Sequence, residues 1–118
     1  MANFFKDNDD IQFLLRHMDL ETVSELQEEG FRHAEDYEIA PADAVEARQN
    51  YELVLHSVGQ LSGDYIAPRS EAIDQEGNHL NEDGTVSYAK GIADALDALA
   101  KADVMGFTLP HRYGGLNF

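Results

Sequence analysis

The chain has 118 residues, the usual size of one domain, and carries 23 acidic against 8 basic residues, a formal net charge of −15. This charge excludes nucleic acid and anionic membrane surfaces as partners, because Lys and Arg are the residues that bind phosphate groups. The chain has no cysteine, and none of its apolar runs approaches the ~20 residues of a membrane span. Since 43% of the residues are apolar, we expect an acidic, cytoplasmic globular protein.

The segment from residue 9 to residue 18 predicts a first helix, because a stripe of apolar residues is spaced by three, one and three positions: Ile11, Leu14, Leu15 and Met18. Asp9 or Asp10 is the candidate N-cap of this helix, since a carboxylate accepts hydrogen bonds from the free amides and faces the positive end of the helix.

A second short helix is predicted directly after the first. Asp19 is its candidate N-cap, and Thr22 is an alternative start with capping-box spacing to Glu25. Gly30 has the position and chemistry of a C-terminal stop. Residues 31–38 show no periodicity, so we interpret them as a loop or an irregular turn.

The longest predicted helix starts at Pro41, whose missing N–H is tolerated at the first helical position. Its apolar residues recur at helical spacing with polar residues opposite, which indicates an amphipathic helix of roughly six turns or more. Pro68 interrupts this pattern, so the helix either kinks there or ends and is followed by another turn through Ile73. The apolar stripe comprises Tyr51, Val54, Leu55, Val58, Leu61 and Tyr65.

Residues 74–84 combine two glycines, two asparagines and four acidic residues, which predicts a solvated loop. An EF-hand calcium loop would need Gly at its sixth and Glu at its twelfth position, where this chain has His79 and Thr85. Ser87 is the candidate N-cap of a last helix, which should end between residues 101 and 104, before Gly106. No strand-like alternation exceeds about four residues, so the predicted fold class is all-α, a helical bundle.

The residue types that catalyse reactions or bind metals form no recognisable site in this sequence. No two of the five histidines are three or four residues apart, so no helix face presents a histidine pair to a metal ion. We interpret His56, at the edge of the apolar stripe, as a hydrogen-bonded structural residue. The same interpretation applies to His17, His33, His79 and His111. No catalytic, cofactor-binding or metal-binding residue is assigned.

The stretch from Leu99 to Gly115 resembles the N-terminal helical domain of acyl-CoA dehydrogenases. In that family a helix ends in a Gly-hydrophobic-x-x-Pro segment, which two residues and Tyr-Gly-Gly follow. The residues at matching spacing are Gly106, Pro110, Tyr113, Gly114 and Gly115.

Two weaker similarities extend the resemblance over most of residues 9–118. Pro68 followed by Asp74 is similar to a helix-end pattern of the family, and residues 10–15 resemble the extended N-terminus of its large bacterial subgroup. The resemblance divides the chain into short N-terminal helices and a loop over residues 1–40 and a truncated helical domain over residues 41–118, in one structural unit.

The chain departs from the family pattern at two positions. Asp103 stands where the family has a helix-capping glycine, and because Asp tolerates the left-handed conformation we expect the turn to survive. His111 stands where the family often has an acid. Beside the resemblance, the glycine pair permits a chain reversal, and Tyr113 is expected to pack its ring and pair its hydroxyl. We expect no ligand contact from Tyr113 or from either glycine.

The resemblance implies a flavoenzyme that oxidises acyl-CoA to 2,3-enoyl-CoA. A glutamate base removes the α-proton while the β-hydrogen leaves as hydride to N5 of FAD. The domains that hold FAD and this glutamate would follow Phe118, so the 118 residues are expected to be an N-terminal fragment, inactive alone. The implied partners of the parent enzyme are the acyl-CoA substrate, an electron-transfer acceptor and further copies in a homo-oligomer.

Two further expectations concern the chain by itself. Leu109, Leu116 and Phe118 would form an exposed apolar patch through which the fragment self-associates. The alternative to the enzyme interpretation is a stand-alone acidic helical protein-binding module, which has the same composition and periodicity. The Pro-x-x-Tyr-Gly-Gly-Leu tail favours the dehydrogenase, because a self-contained module does not need it.

Overall fold

A computed structural model describes residues 2–118, of which 58% are helical and 3% form strands. The mostly helical character agrees with the prediction. Five α-helices and one small hairpin follow each other along the described chain. They are α1 (Asp9–His17), α2 (Leu20–Gln27), α3 (Ala44–Gln60), α4 (Ser70–Glu76), β1 (His79–Leu80), β2 (Val86–Ser87) and α5 (Lys90–Lys101).

The two N-terminal helices begin at capping side chains. Asn8, and neither Asp9 nor Asp10, caps α1: its side-chain oxygen accepts from the amide of Ile11 at 3.0 Å. The two aspartates lie within the first turn, where their charges face the positive helix end. Asp19 caps α2 as predicted, and the alternative start at Thr22 is wrong.

The end of α2 lies three residues before Gly30. The chain leaves the helix through consecutive left-handed residues, with φ of +51° at Glu29, +74° at Gly30 and +59° at Phe31. The amide of Gly30 closes the turn by donating to the carbonyl of Glu25 at 2.8 Å. This is a Schellman-type closure in which Glu29 occupies the position that glycine usually takes.

Helix α3 starts at Ala44, so the predicted start at Pro41 is wrong. Asp43 is the N-cap and accepts from the amide of Glu46 at 2.9 Å. The carboxylate of Glu46 in turn accepts from the amide of Ala42 at 2.8 Å. Two carboxylates therefore meet the positive end of α3, as in a capping box.

The helical path continues beyond α3 through the proline. A wider turn of π-helix spans Leu61–Ile66, and a 3₁₀ turn over Ala67–Arg69 contains Pro68 and leads into α4. With the π-helical turn, the first part of this path reaches the predicted six turns. At Pro68 the sequence left open a kink or an end followed by another turn. In the structure the helix changes type around Pro68, and a further helix then runs past Ile73.

The predicted loop over residues 74–84 is partly wrong. Helix α4 extends through Glu76, and β1 pairs with β2 in antiparallel register, with His79 opposite Ser87. Ser87 is therefore a strand residue, and its hydroxyl donates to Asn81 instead of capping a helix. Helix α5 begins at Lys90 after Ala89 and ends at Lys101, within the predicted range.

The N-terminal segment packs on the helix through two glycines. A Cβ on Gly59 would lie 2.5 Å from Oδ1 of Asn3, and one on Gly63 would overlap the carbonyl of Ala2. Asn3 is buried, and its Nδ2 lies 3.2 Å from Nδ1 of His56 and donates to the carbonyl of that residue at 3.1 Å. His56 is thus a hydrogen-bonded structural residue, as interpreted from the sequence.

The last twelve residues, 107–118, form a closed reversal that we call the C-terminal loop. Asp103 precedes it with a φ of +56°, so it adopts the left-handed conformation expected of it. Gly114 has a φ of +83°, and a Cβ on Gly115 would overlap the carbonyl of Leu109. The two glycines are therefore required for different reasons, the first for its dihedral angle and the second for space.

The molecule is thin and extended, with dimensions of 53 × 34 × 19 Å and a radius of gyration of 17.9 Å, where a compact chain of this length has about 13.5 Å. Its accessible surface is 8347 Å², roughly 2,000 Å² above the value expected from its mass. Among residues 2–118 the buried apolar side chains are three alanines, Ala40, Ala47 and Ala89. In the same range no helix is long and apolar enough to cross a membrane.

Candidate functional site

The histidines are spread over the molecule. His17 stacks with Phe13 at a ring-centroid distance of 4.3 Å, and His33 lies 3.4 Å from Asp36 on the surface. His79 is exposed in β1. Within residues 2–118 no group of three His, Asp or Glu side chains could hold a metal ion.

His111 differs from these histidines because it is buried and pairs with a carboxylate at the end of a distant helix. Its Nε2 lies 2.7 Å from Oε2 of Glu28, and both side chains are only 3% exposed. Glu28 follows the end of α2, and His111 opens the 3₁₀ turn His111–Tyr113 of the C-terminal loop. The pair therefore connects two segments separated by 83 positions.

The hydrogen-bond partners of the imidazole determine where its protons lie. Nδ1 is 3.1 Å from the carbonyl oxygen of Gly115, which can only accept, so Nδ1 carries a hydrogen. On the other side, Nε2 is occupied by its hydrogen bond to the Glu28 carboxylate. No ring nitrogen is left for a substrate, so the pair is suited to holding structure and not to acid–base catalysis.

Further hydrogen bonds fasten the C-terminal loop to α2. The side-chain Nδ2 of Asn117 donates to the carbonyl of Gln27 at 3.1 Å and to Oε1 of Glu28 at 3.3 Å. Nε2 of Gln27 donates back to the carbonyl of Asn117 at 2.8 Å. Every polar atom of the Glu28 side chain is thereby partnered, as a buried charge requires.

The aromatic end of the loop rests on α3. The ring of Phe118 meets Tyr51 edge-on at 4.8 Å and lies 6.1 Å from Phe107. Burial of the phenol, followed by the negative charge of Glu28, raises the pKa of Tyr51 above its ordinary value. Leu116 and Phe118 are half-buried, and Leu109 is exposed, so the predicted apolar patch is smaller than expected.

The expectation for Tyr113 is wrong. Its side chain is 66% exposed, so its ring is not packed in the interior. The guanidinium of Arg112 lies 4.9 Å from the centroid of this ring, in a cation–π arrangement on the surface.

One cleft lies between α2 and the start of α3, and a second lies beside His111. The larger, which we call the α2–α3 groove, has a volume of about 560 Å³ and is lined by apolar Leu20, Phe31 and Val45 together with Glu21, Glu25 and Asp43. The smaller, of about 330 Å³, lies beside His111 and includes Arg32, Tyr37 and Arg112.

The α2–α3 groove does not fit the FAD that the resemblance implies. A dinucleotide is bound through its pyrophosphate, which needs amide N–H groups or cations. The α2–α3 groove instead presents the carboxylates Glu21, Glu25 and Asp43, and its one cation, Arg48, is already bonded to Glu52 at 3.2 Å. We derive no chemical step through a flavin on this chain.

Sequence reasoning missed Glu28 and Asn3, two of the buried polar residues that join distant segments. Glu28 is one of 23 acids, and its partner lies far along the chain. The available signal was the histidine after Pro110, since a histidine in place of the family's acid invites a search for an acid elsewhere. Comparison with known protein families, curated proteins and solved structures gives no match.

Proposed function

We propose that these 118 residues are the N-terminal helical part of an FAD-dependent enzyme that resembles acyl-CoA dehydrogenases and oxidises acyl-CoA to 2,3-enoyl-CoA. The chain supplies packing surfaces in this enzyme, whereas domains outside it hold the flavin and the catalytic base. The partners of the enzyme are acyl-CoA, an electron-transfer acceptor and further copies of itself.

The observation that carries the proposal is the geometry of the segment that bears the resemblance. Asp103 and Gly114 are both left-handed, and Gly115 is held so close to Leu109 that no side chain fits. Gly114 and Gly115, which match the family motif, are thus positions where the backbone itself favours glycine, and Asp103 keeps the left-handed conformation at a position where the family has glycine.

The large exposed surface supports the same proposal. The accessible surface exceeds the value expected from the mass by roughly 2,000 Å². This excess is larger than the area of about 800 Å² that each partner buries in a standard interface. The exposed apolar side chains come from every part of the chain, so contact with additional protein would bury them. Examples of at least 60% exposure are Phe13, Leu26, Leu53, Leu80 and Met105.

The test is the native gene product, isolated from its source cells with an antibody against this chain. We expect a polypeptide of several hundred residues that carries stoichiometric flavin and oxidises acyl-CoA when supplied with an electron acceptor. The 118-residue chain, expressed alone and mixed with FAD, should lose all yellow colour on a desalting column.

Two results would overturn the proposal. One is a native product of 118 residues, which would leave the stand-alone acidic binding module as the function. The other is a longer product that binds no flavin and does not oxidise acyl-CoA. Stoichiometric flavin on the 118 residues alone would contradict our assignment of the flavin to other domains.

A further inference from the structure

The α2–α3 groove has an apolar interior that no other part of the described chain covers. Val45, on the first turn of α3, is 65% exposed, and Leu20 and Phe31 are half-buried. The left-handed turn after α2 brings Phe31 into the lining although it has a φ of +59°. A non-glycine residue in this conformation costs free energy, so the position of the ring is held by the surrounding fold.

The rim of the groove is negatively charged and has no internal counter-ion. Glu21 and Glu25, one turn apart on α2, form no ion pair with any residue between 2 and 118. Arg48, the one cation of the lining, is paired with Glu52. The positive end of α3 does not offset these charges, because Asp43 and the carboxylate of Glu46 already cap it.

Charge and shape together restrict the occupant. A nucleic acid, an anionic lipid or a second copy of this chain would each bring net negative charge to a rim of carboxylates, and this chain carries −15. A volume of about 560 Å³ with three apolar side chains accommodates one or two large aliphatic groups. An occupant that satisfies both features presents aliphatic side chains with Lys or Arg beside them.

We propose that the α2–α3 groove binds a basic amphipathic helix of another protein, with a leucine-type side chain against Leu20, Phe31 and Val45 and its cations against Glu21 and Glu25. In helix-in-groove recognition of this kind, apolar side chains spaced by three or four residues on one face of the bound helix enter the groove. The proposal is independent of the flavoenzyme proposal, since it concerns only surface residues of these 118.

The test measures fluorescence anisotropy of a labelled synthetic helix of Leu and Lys with one apolar face, titrated with the complete 118-residue chain at physiological salt. We expect saturable binding. It should weaken at least tenfold in the double variant Glu21→Lys, Glu25→Lys, because two attractions become repulsions. The matched control reverses two exposed acids elsewhere, Asp74→Lys and Glu82→Lys, giving the same net charge, and should change affinity by less than about twofold.

Chemical-shift mapping on the unmodified chain provides a second measurement that does not depend on variants. Amide shifts on adding the helix should concentrate at Leu20, Phe31 and Val45. A helix with Ser in place of Leu should bind much more weakly, which separates groove binding from charge alone. The absence of binding, equal weakening in both double variants, or shifts spread over the whole acidic surface would each overturn the proposal.

Discussion

Two regions of the molecule are stabilised in opposite ways. Where the C-terminal loop meets α2, the polar contacts join residues far apart in the chain, and the Glu28–His111 pair at their centre is buried. From α4 to α5 most polar contacts are exposed and join residues close in the chain. Examples are the ion pairs Lys90–Asp94 and Lys101–Asp97 and the hairpin bonds of Asn81.

The difference shows which contacts need the tertiary fold. A pair four residues apart on a helix surface forms whenever the helix forms, and water screens it, so it adds little. A buried pair separated by 83 positions requires the chain between its members to be folded, and each partner is costly to bury alone. The loop should therefore unfold cooperatively with α2, while the region from α4 to α5 tolerates change.

The largest expected effect comes from breaking the buried pair on one side. Glu28→Ala leaves the imidazole of His111 buried without its carboxylate, and we expect the free energy of unfolding to fall by about 3–5 kcal/mol. Urea unfolding followed by circular dichroism measures this. The neighbouring Glu29→Ala removes a half-exposed carboxylate paired with Arg32 and should cost less than about 1 kcal/mol. Equal costs at the two positions would contradict the contrast.

Glycine substitutions compare the two turns directly. Gly115→Ala places a methyl group on the backbone of Leu109, which cannot move away as a side chain could, so we expect a loss of about 3 kcal/mol. Gly84→Ala in the hairpin meets open space and is disfavoured only by its φ of +82°, at about 1 kcal/mol. Thermal denaturation of the two variants gives the order, and a hairpin variant at least as unstable would contradict it.

A smaller effect is expected from pH at Tyr51. Because its pKa is raised in the folded chain, the neutral phenol contributes stability that is fully present below the ordinary tyrosine value of about 10 and is lost as pH rises beyond it. Tyr51→Phe should therefore make unfolding less sensitive to pH in this alkaline range. The measurement is the urea midpoint at several pH values, with the exposed Tyr88→Phe as control. An unchanged pH dependence in Tyr51→Phe would contradict the burial of the phenol.

The smallest effect is expected at the ion pairs of α5. The ammonium of Lys101 beside Asp97 has its pKa raised, first by the hydrogen bond and then by the charge, but the group is fully exposed. Asp97→Asn should leave the thermal midpoint unchanged within error, and high salt should not distinguish it from the parent chain. A clear fall of the thermal midpoint would show that the Lys101–Asp97 ion pair contributes to the stability of the fold, contrary to this prediction.

The parts of the fold that the sequence predicted are those encoded by neighbouring residues. Helical spacing located all the long helices, Asp19 was recognised as a cap, and the left-handed Asp103 followed from the chemistry of its side chain. The errors lie at boundaries. The start of α3 at Ala44, after the Asp43 cap, instead of at Pro41 depended on a choice between two acceptable local signals. The two-residue strands are too short to produce an alternating pattern.

The candidate sites were less predictable than the helices. The histidine after Pro110 was noticed, but its pairing with Glu28 could not be chosen among 23 acids without knowing how the C-terminal loop folds back. The prediction that Tyr113 is packed failed because the loop turns the ring outward beside Arg112. The α2–α3 groove was not foreseen, since its residues come from two helices and the left-handed turn at Phe31.

The sequence by itself determined the helical class, the acidic surface and the glycine-dependent reversal near the C-terminus, because periodicity, charge and backbone freedom are properties of adjacent residues. The tertiary structure alone decided which acid pairs with His111, why Gly59 and Gly63 must lack side chains, and where a groove opens. Those features depend on the distance between segments that are remote in the chain, and local preferences do not fix that distance.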